Sequence, residues 1–367
     1  MKKKILVVGQ TPPPYGGQAI MIQYMLDASY SDIELYHVRM CFSKQFNDLG
    51  HTQFQKFYHL LEVIVNVWII KFKYNINTLY YPLSGATNIS LLRDFLILVC
   101  TRFLFNKTIY HFHAAGISNN LPKQTYIIRK LCYLVFKKPD LSITSSEYNP
   151  KDAEYLQSKT VKIIPLGIPD QNITERRNYV RYHKELNILF MGLLNRTKGE
   201  GYVLEAVHKV CKTGRKVNFH IAGCFASKDY QADFFAKIAE YGLNNNVIYH
   251  GVVTGDDKQK LFLSSDVFCF PSFFLFESFG IVLLEGLMYQ MPLIASRWRG
   301  IQSIVEDGVN GYLVDVKNSD QIAECLIKFY DNPSLLEKMA RKGRNIFKDK
   351  YEISRYLNNI ELALSNV

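Results

Sequence analysis

At 367 residues the chain is longer than one comfortable hydrophobic core, so two domains are expected. A hydrophobic share of 48% with 14% aromatics excludes a disordered protein, and seven scattered cysteines without a C-x-x-C exclude a disulfide scaffold; they read as reduced core residues of a cytosolic protein. The net charge of +11 is uneven, with 19 Lys and Arg against 10 acids in residues 1–168 and 25 against 23 in the remainder; with no zinc-finger spacing, RNP-like run or dense basic stripe, nucleic acid is not an expected partner.

Met1-Lys2-Lys3-Lys4 is followed by Ile5–Gly9, too short for the apolar core of a signal peptide, and no apolar run reaches the ~18 residues of a membrane span. Residues 4–9 instead read as a buried strand, followed by a loop from Gln10 to Gln18 and a helix from Ala19 to Ala28, the opening of a doubly wound domain. The loop lacks the G-x-G-x-x-G of a dinucleotide fingerprint, but Gly16-Gly17 lets backbone approach a ligand closely. Strand Ile33–Val38 and an irregular polar stretch, 40–53, come next. They are followed by helix Phe54–Tyr74, strand Asn77–Pro82, helix Ser90–Phe105 and strand Thr108–His113. His111 and His113 share a face by the period of two, and His113 lies at the carboxyl end, where doubly wound sheets bind ligands. A lone histidine at a strand end is more often structural, and no third ligand suggests a metal.

Two amphipathic segments, Phe54–Phe72 and Tyr126–Lys138, interleave basic and apolar side chains. One reading is peripheral contact with an anionic membrane; the other is helices packed on the sheet with their cations in water. Residues 140–147 read as a strand with a helix cap, and Val161–Gly167 as the last strand of this half. The polar, charged stretch 169–184 reads as the linker.

The second half opens with strand Asn187–Gly192 and a loop holding Arg196, Lys198 and Gly199, then helix Gly201–Val210. Two cations and two glycines at a strand-to-helix turn suit a diphosphate. Strands 217–223 and 246–253 and a short helix, 257–265, lead to strand Asp266–Phe270, which ends at Pro271-Ser272. Glu277-Ser278-Phe279-Gly280 enters a helix from Ile281 to Tyr289 whose apolar positions Ile281, Leu284, Leu287 and Met288 follow helical spacing; Glu285 lies two turns beyond Glu277. Free N–H groups of a helix N-terminus suit a phosphate, and a carboxylate suits a vicinal diol. Phosphate plus diols describes a nucleotide sugar. Strand 293–295, the turn at Gly308–Gly311, strand 312–314 and helices 320–330, 334–347 and 353–365 complete the chain.

The order strand, Pro-Ser, Glu277-Ser278-Phe279-Gly280, helix, Glu285, Pro292, strand resembles the Glu-x7-Glu signature of retaining glycosyltransferases of the GT-B fold, family 4. Weaker likenesses extend the resemblance: Thr144–Glu147 to "TxSE", Ile164–Gly167 to "IPNG" with Leu166 in place of Asn, and Gly192–Gly199 to "GRL…KG". In the last, Leu193 stands at the usual Arg and Arg196 must substitute from a shifted position. Residues 298–305 resemble "GGxPE", with Gln302 and Ser303 replacing Pro and Glu.

The resemblance implies an α/β protein of two Rossmann-like doubly wound domains facing a central cleft. These are an acceptor domain, 1–168, a linker, 169–184, a nucleotide-sugar domain, 185–349, and a helix, 350–367, crossing back to the first. It implies a hexosyltransferase-type enzyme that moves a sugar from a nucleotide-diphosphate donor to a hydroxyl acceptor; the basic, apolar first half adds the expectation of a saccharide or lipid-linked saccharide acceptor in surface-polysaccharide assembly, met on the cytoplasmic side of a membrane. Glu277 and His113 would be catalytic. Gly16, Gly17, Arg196, Lys198, Ser278, Phe279, Gly280, Ile281 and Glu285 would bind the donor. No D-x-D occurs, so neither a metal nor another cofactor is expected. A nucleotide-sugar epimerase on the same fold and a non-catalytic scaffold subunit are the alternatives; the presence of both glutamates and Lys198 disfavours the scaffold.

Overall fold

The computed structural model describes residues 2–13, 15–42, 53–84, 87–171 and 185–367. Most of the expected irregular stretch 40–53 and linker 169–184 lies outside them. The chain divides into two compact units, Met1–Leu166 with Ser354–Val367, and Gly167–Ile353.

The first unit contains strands β1 (Lys3–Gly9), β2 (Ile33–Arg39), β3 (Thr78–Tyr81), β4 (Lys107–Phe112), β5 (Leu141–Thr144) and β6 (Thr160–Ile163). Its helices are α1 (Gly17–Asp27), α2 (Gln53–Tyr74), α3 (Asn88–Thr101), α4 (Ile117–Asn120), α5 (Tyr126–Phe136) and α6 (Asp152–Tyr155). Among the described residues the strands form one six-stranded parallel sheet, ordered β2-β1-β3-β4-β5-β6. Ile5, Leu6, Val7 and Val8 are all buried, as expected of a central parallel strand covered on both faces. Val63 and Val67 of α2, Leu91 and Leu98 of α3, and Cys132 and Phe136 of α5 share one core with Leu6, Leu79 and Tyr110 of the sheet. The α3 start is fixed by a reciprocal cap between Thr87 and Ser90. The expected helix from Ser90 to Phe105 ends at Thr101 and tightens into a 3-10 turn, Arg102–Leu104.

The second unit contains β7 (Leu186–Met191), β8 (Val217–Ala222), β9 (Val247–Tyr249), β10 (Val267–Phe270), β11 (Leu293–Ser296) and β12 (Gly311–Val314). Its helices are α7 (Glu200–Lys212), α8 (Lys228–Glu240), α9 (Gly255–Ser264), α10 (Ile281–Met288), α11 (Ser319–Asp331) and α12 (Pro333–Ile346). The last helix, α13 (Ile353–Ser365), belongs from Ser354 onward to the first unit. There Lys3 donates to the Leu364 and Val367 carbonyls at 3.0 and 2.8 Å. The second sheet is also parallel, ordered β12-β11-β10-β7-β8-β9. Leu166 lies in the core, 3% exposed, which is why an apolar residue is at home there. Asp170 pairs with Arg344 at 2.8 Å, both nearly buried.

Both strand orders reverse once, between β1 and β3 in the first sheet and between β7 and β10 in the second. At such a reversal the loops leaving neighbouring strands head to opposite faces and leave a crevice beyond the strand ends. That places the segments after β7 and β10 side by side.

Candidate functional site

The loop leaving β7 is ordered by Asn195, whose side-chain oxygen accepts from the Thr197 N–H at 2.9 Å and from the Thr197 hydroxyl at 2.7 Å. It then meets the loop leaving β10: the Phe273 N–H donates to the Thr197 carbonyl at 2.8 Å. Gly199 sits at φ +96°, and a Cβ there would fall 2.4 Å from the Pro271 carbonyl oxygen. Only glycine tolerates that backbone and that contact together. Gly199→Ala is expected to destabilise the protein by about 1–3 kcal/mol, read as a lowered denaturation midpoint; an unchanged midpoint would show that the two loops can part without penalty.

This junction brings Lys198 and Glu277 together. The Lys198 ammonium lies 2.6 Å from Glu277 Oε2, with side chains only 15% and 13% exposed. Ser272 Oγ donates to the same oxygen at 3.3 Å. The ammonium also lies 4.6 Å from the centre of the Phe274 ring, and the Trp298 indole N–H holds that loop through the Phe274 carbonyl at 2.9 Å. Glu285, on α10, is met at 2.6 Å by Lys258 of α9. Two half-buried carboxylates are thus each fixed by a lysine from a different element.

Ser278, Phe279 and Gly280 are buried where the chain enters α10, Gly280 at φ +88°, and no side chain caps the helix's first turn. Ile281 is half-buried, and the buried face runs through Leu283, Leu284, Leu287 and Met288, a shift from the expected stripe that began at Ile281. Gly300, in the 3-10 helix Arg299–Ser303 that follows β11, approaches so closely that a Cβ would lie 1.9 Å from the Ser278 carbonyl oxygen. Arg196 turns to α8. Its guanidinium pairs with Asp233 of α8 and lies over the Tyr230 ring, 5.1 Å from its centre.

Glu200, at the start of α7, is fully buried. Burial pushes its carboxyl up to about 8, partly offset by Tyr230 and by the charge of Lys198. The folded protein therefore keeps a proton that the unfolded chain releases near pH ~4.3. Its contribution to stability is complete below that pH and is lost as pH rises toward 8. Glu200→Gln is expected to raise the thermal midpoint at pH 8 and leave it nearly unchanged near pH ~4.5. An equal effect at both pH values would contradict the assignment.

In the first unit, Gly16 precedes α1 in extended backbone, and among the described residues nothing lies within 4 Å of where its Cβ would be; Gly17 is exposed. Arg39 of β2 braces the same loop through the Pro12 and Pro13 carbonyls at 3.0 and 2.9 Å. The His111 and His113 rings stack with centres 3.9 Å apart. His111 is buried and joined to the Tyr80 hydroxyl at 2.6 Å, a core arrangement. His113 is half-buried, yet both its ring nitrogens are sealed from solvent, and burial pushes the imidazole down to about 3. It is therefore neutral at ordinary pH.

Lys258 and Glu200 carry no site signal in the sequence, while Ser272 and Gly300 stand in the signature order and in the stretch resembling "GGxPE" without a role of their own. Ser272 was visible as the residue after a strand-ending proline; Lys258 reaches Glu285 only through the packing of α9 beside α10.

Residues 171–346 match the family described as glycosyl transferases group 1. An uncharacterised glycosyltransferase of Methanocaldococcus jannaschii is 31% identical over 182 residues, 50% of this chain and 45% of that protein. O-antigen chain mannosyltransferase C of Escherichia coli is 26% identical over 211 residues, 55% of this chain and 54% of that protein. The matched region spans about half the length of these curated relatives. Anabaena HepE, solved with UDP and glucose, superposes over 100% of both chains with a TM-score of 0.73 at 18% identity. That likeness establishes the fold, two Rossmann-like sheets of the GT-B kind.

Proposed function

We propose that this chain, whose residues 171–346 match glycosyl transferases group 1, is a retaining, family 4 type enzyme that moves a sugar from a nucleotide-diphosphate donor to a hydroxyl acceptor. The observation that carries the reading is the junction of the loops after β7 and β10, with Lys198 2.6 Å from Glu277 beside the uncapped start of α10. In this reading Lys198 and the backbone N–H groups from Phe279 to Ile281 meet the diphosphate's charge as it builds on leaving. That role asks for no divalent metal and no resident cofactor. Glu277 binds sugar hydroxyls and Glu285 the ribose diol. Arg196 reaches the diphosphate by leaving Asp233. His113, held neutral, hydrogen-bonds the sugar or acceptor once its ring turns to open its sealed nitrogens, and the Gly16-Gly17 backbone serves donor binding.

The bond from the sugar's anomeric carbon to the diphosphate oxygen breaks, and a bond from that carbon to the acceptor oxygen forms on the same face. The acceptor's proton passes to the departing phosphate oxygen. The O-antigen chain mannosyltransferase among the relatives supports a saccharide acceptor in surface-polysaccharide assembly; the basic, apolar first half is the reason to take that acceptor as lipid-linked and met at the cytoplasmic side of a membrane.

The test is a thermal-shift screen of UDP-, GDP- and ADP-sugars, followed by mass spectrometry of products with and without saccharide acceptors. A donor that raises the midpoint and yields a glycosylated acceptor is expected. Isomerised donor without acceptor would reassign the protein as an epimerase, and silence toward every nucleotide sugar would refute the reading.

A further inference from the structure

The first unit's helices α2, α3 and α5 carry apolar residues on two faces, and only one of them meets the sheet. On α2, Phe57, Leu61, Val65, Trp68 and Phe72 are 42% to 64% exposed. Their spacing of three and four residues lines them on one stripe, opposite the buried Leu60, Val63 and Val67. On α3, Ile89, Leu92 and Val99 are exposed at 85%, 59% and 42%, and Phe103 in the turn beyond at 69%. On α5, Tyr126, Ile127, Leu131 and Leu134 range from 47% to 68%.

The three helices pack as one layer. α3 contacts both neighbours, the Trp68 indole donates to the Cys100 carbonyl at 3.0 Å, and Arg102 donates to the Lys137 carbonyl at 2.7 Å. Their outward surface thus carries these thirteen exposed large apolar side chains on neighbouring helices, a clustering that marks an interaction surface rather than single scattered residues. None of the described helices is long and apolar enough to cross a membrane.

The charge around the patch identifies its partner. From Gln53 to Lys138 the chain has eleven Lys and Arg and two acids, Glu62 and Asp94. Asp94 is buried and paired with Arg93 at 2.7 Å, so Glu62 is the one acid left to face outward. Lys73, Lys123, Lys130 and Lys138 are exposed beside the apolar stripes. A self-complementary protein interface would need acids to answer these cations, and this surface lacks them. We propose that the outer face of α2, α3 and α5 lies on an anionic lipid surface, its aromatic and aliphatic side chains entering the headgroup boundary and its cations facing lipid phosphates.

The inference stands apart from the transfer chemistry, so the test uses no sugar. The full chain is floated with vesicles of phosphatidylcholine alone or containing about one third phosphatidylglycerol. It is expected to float with the anionic vesicles, and the bound fraction is expected to fall as salt screens the surface. Each cation near such a surface is worth about fivefold in affinity. The pairs Ile127→Ser with Leu131→Ser, and Lys123→Glu with Lys130→Glu, are each expected to weaken binding by about tenfold or more. An unchanged unfolding midpoint shows that these variants are folded; a variant that fails this check is replaced by Ile89→Ser with Leu92→Ser on α3, with the same expectation. Absent flotation, equal flotation with neutral vesicles, or folded variants that float like the parent would overturn the proposal. So would a parent dimer that Ile127→Ser with Leu131→Ser converts to monomer, which assigns the face to a second copy.

Discussion

Glu277→Gln is expected to lower the turnover of sugar transfer by about a hundredfold or more, the scale on which one group aimed at a transition state acts, while nucleoside diphosphate affinity stays within about threefold. Glutamine keeps the size of the side chain and an oxygen that can still accept from Ser272, now 3.3 Å from the carboxylate. What it removes is the charge facing Lys198 and the carboxylate's ability to accept from two hydroxyls at once. Because the pair is largely buried, the variant also leaves a lysine without its counter-charge, and a lowered thermal midpoint is expected. Kinetics and stability must therefore be read separately, with turnover measured well below the new midpoint. Full transfer activity in a folded Glu277→Gln protein would remove Glu277 from the mechanism.

Lys198→Met should act on the other side of the same contact. The methionine keeps an apolar stem against Phe270 and Phe274, whose ring centres lie 5.6 and 4.6 Å from the ammonium. It loses the charge, so affinity for a nucleoside diphosphate is expected to fall by about 1.5–3 kcal/mol, roughly ten- to a hundredfold. Calorimetry on the two variants and their double mutant separates the roles. If the lysine serves the diphosphate and the glutamate the sugar, the Lys198→Met loss should appear with a bare nucleoside diphosphate and the Glu277→Gln loss should not. Unchanged affinity in Lys198→Met would show that this lysine only braces Glu277.

The signature region was legible because local cues agree there: an apolar strand, a strand-ending proline, a left-handed glycine at 280 and a helix follow within about one strand–helix unit. The alternation of strands and helices likewise announced two doubly wound sheets. The helix α8 was missed although Ser227 caps it and Tyr230, Phe234 and Ile238 bury one face at four-residue spacing; a parallel crossover between β8 and β9 requires such an element. Other features were beyond reach because they exist only after folding. Lys198 and Glu277 are 79 positions apart, and Lys258 and Glu285 are 27 apart. Arg196 has partners in Asp233 and Tyr230 that its own loop gives no hint of. The burial of Glu200 is equally silent in sequence, since a glutamate in a helix's first turn ordinarily favours the dipole and stays in water.

The near-contact of Gly300 with the Ser278 carbonyl ties the segment after β11 to the entrance of α10. Three successive strands thus end in segments that cannot shift one at a time: any adjustment of the turn at Gly300 must be transmitted to Ser278, and from there to the backbone amides behind Glu277. On the proposed function, a methyl group added at residue 300 is therefore expected to change sugar choice by displacing the Ser278 backbone.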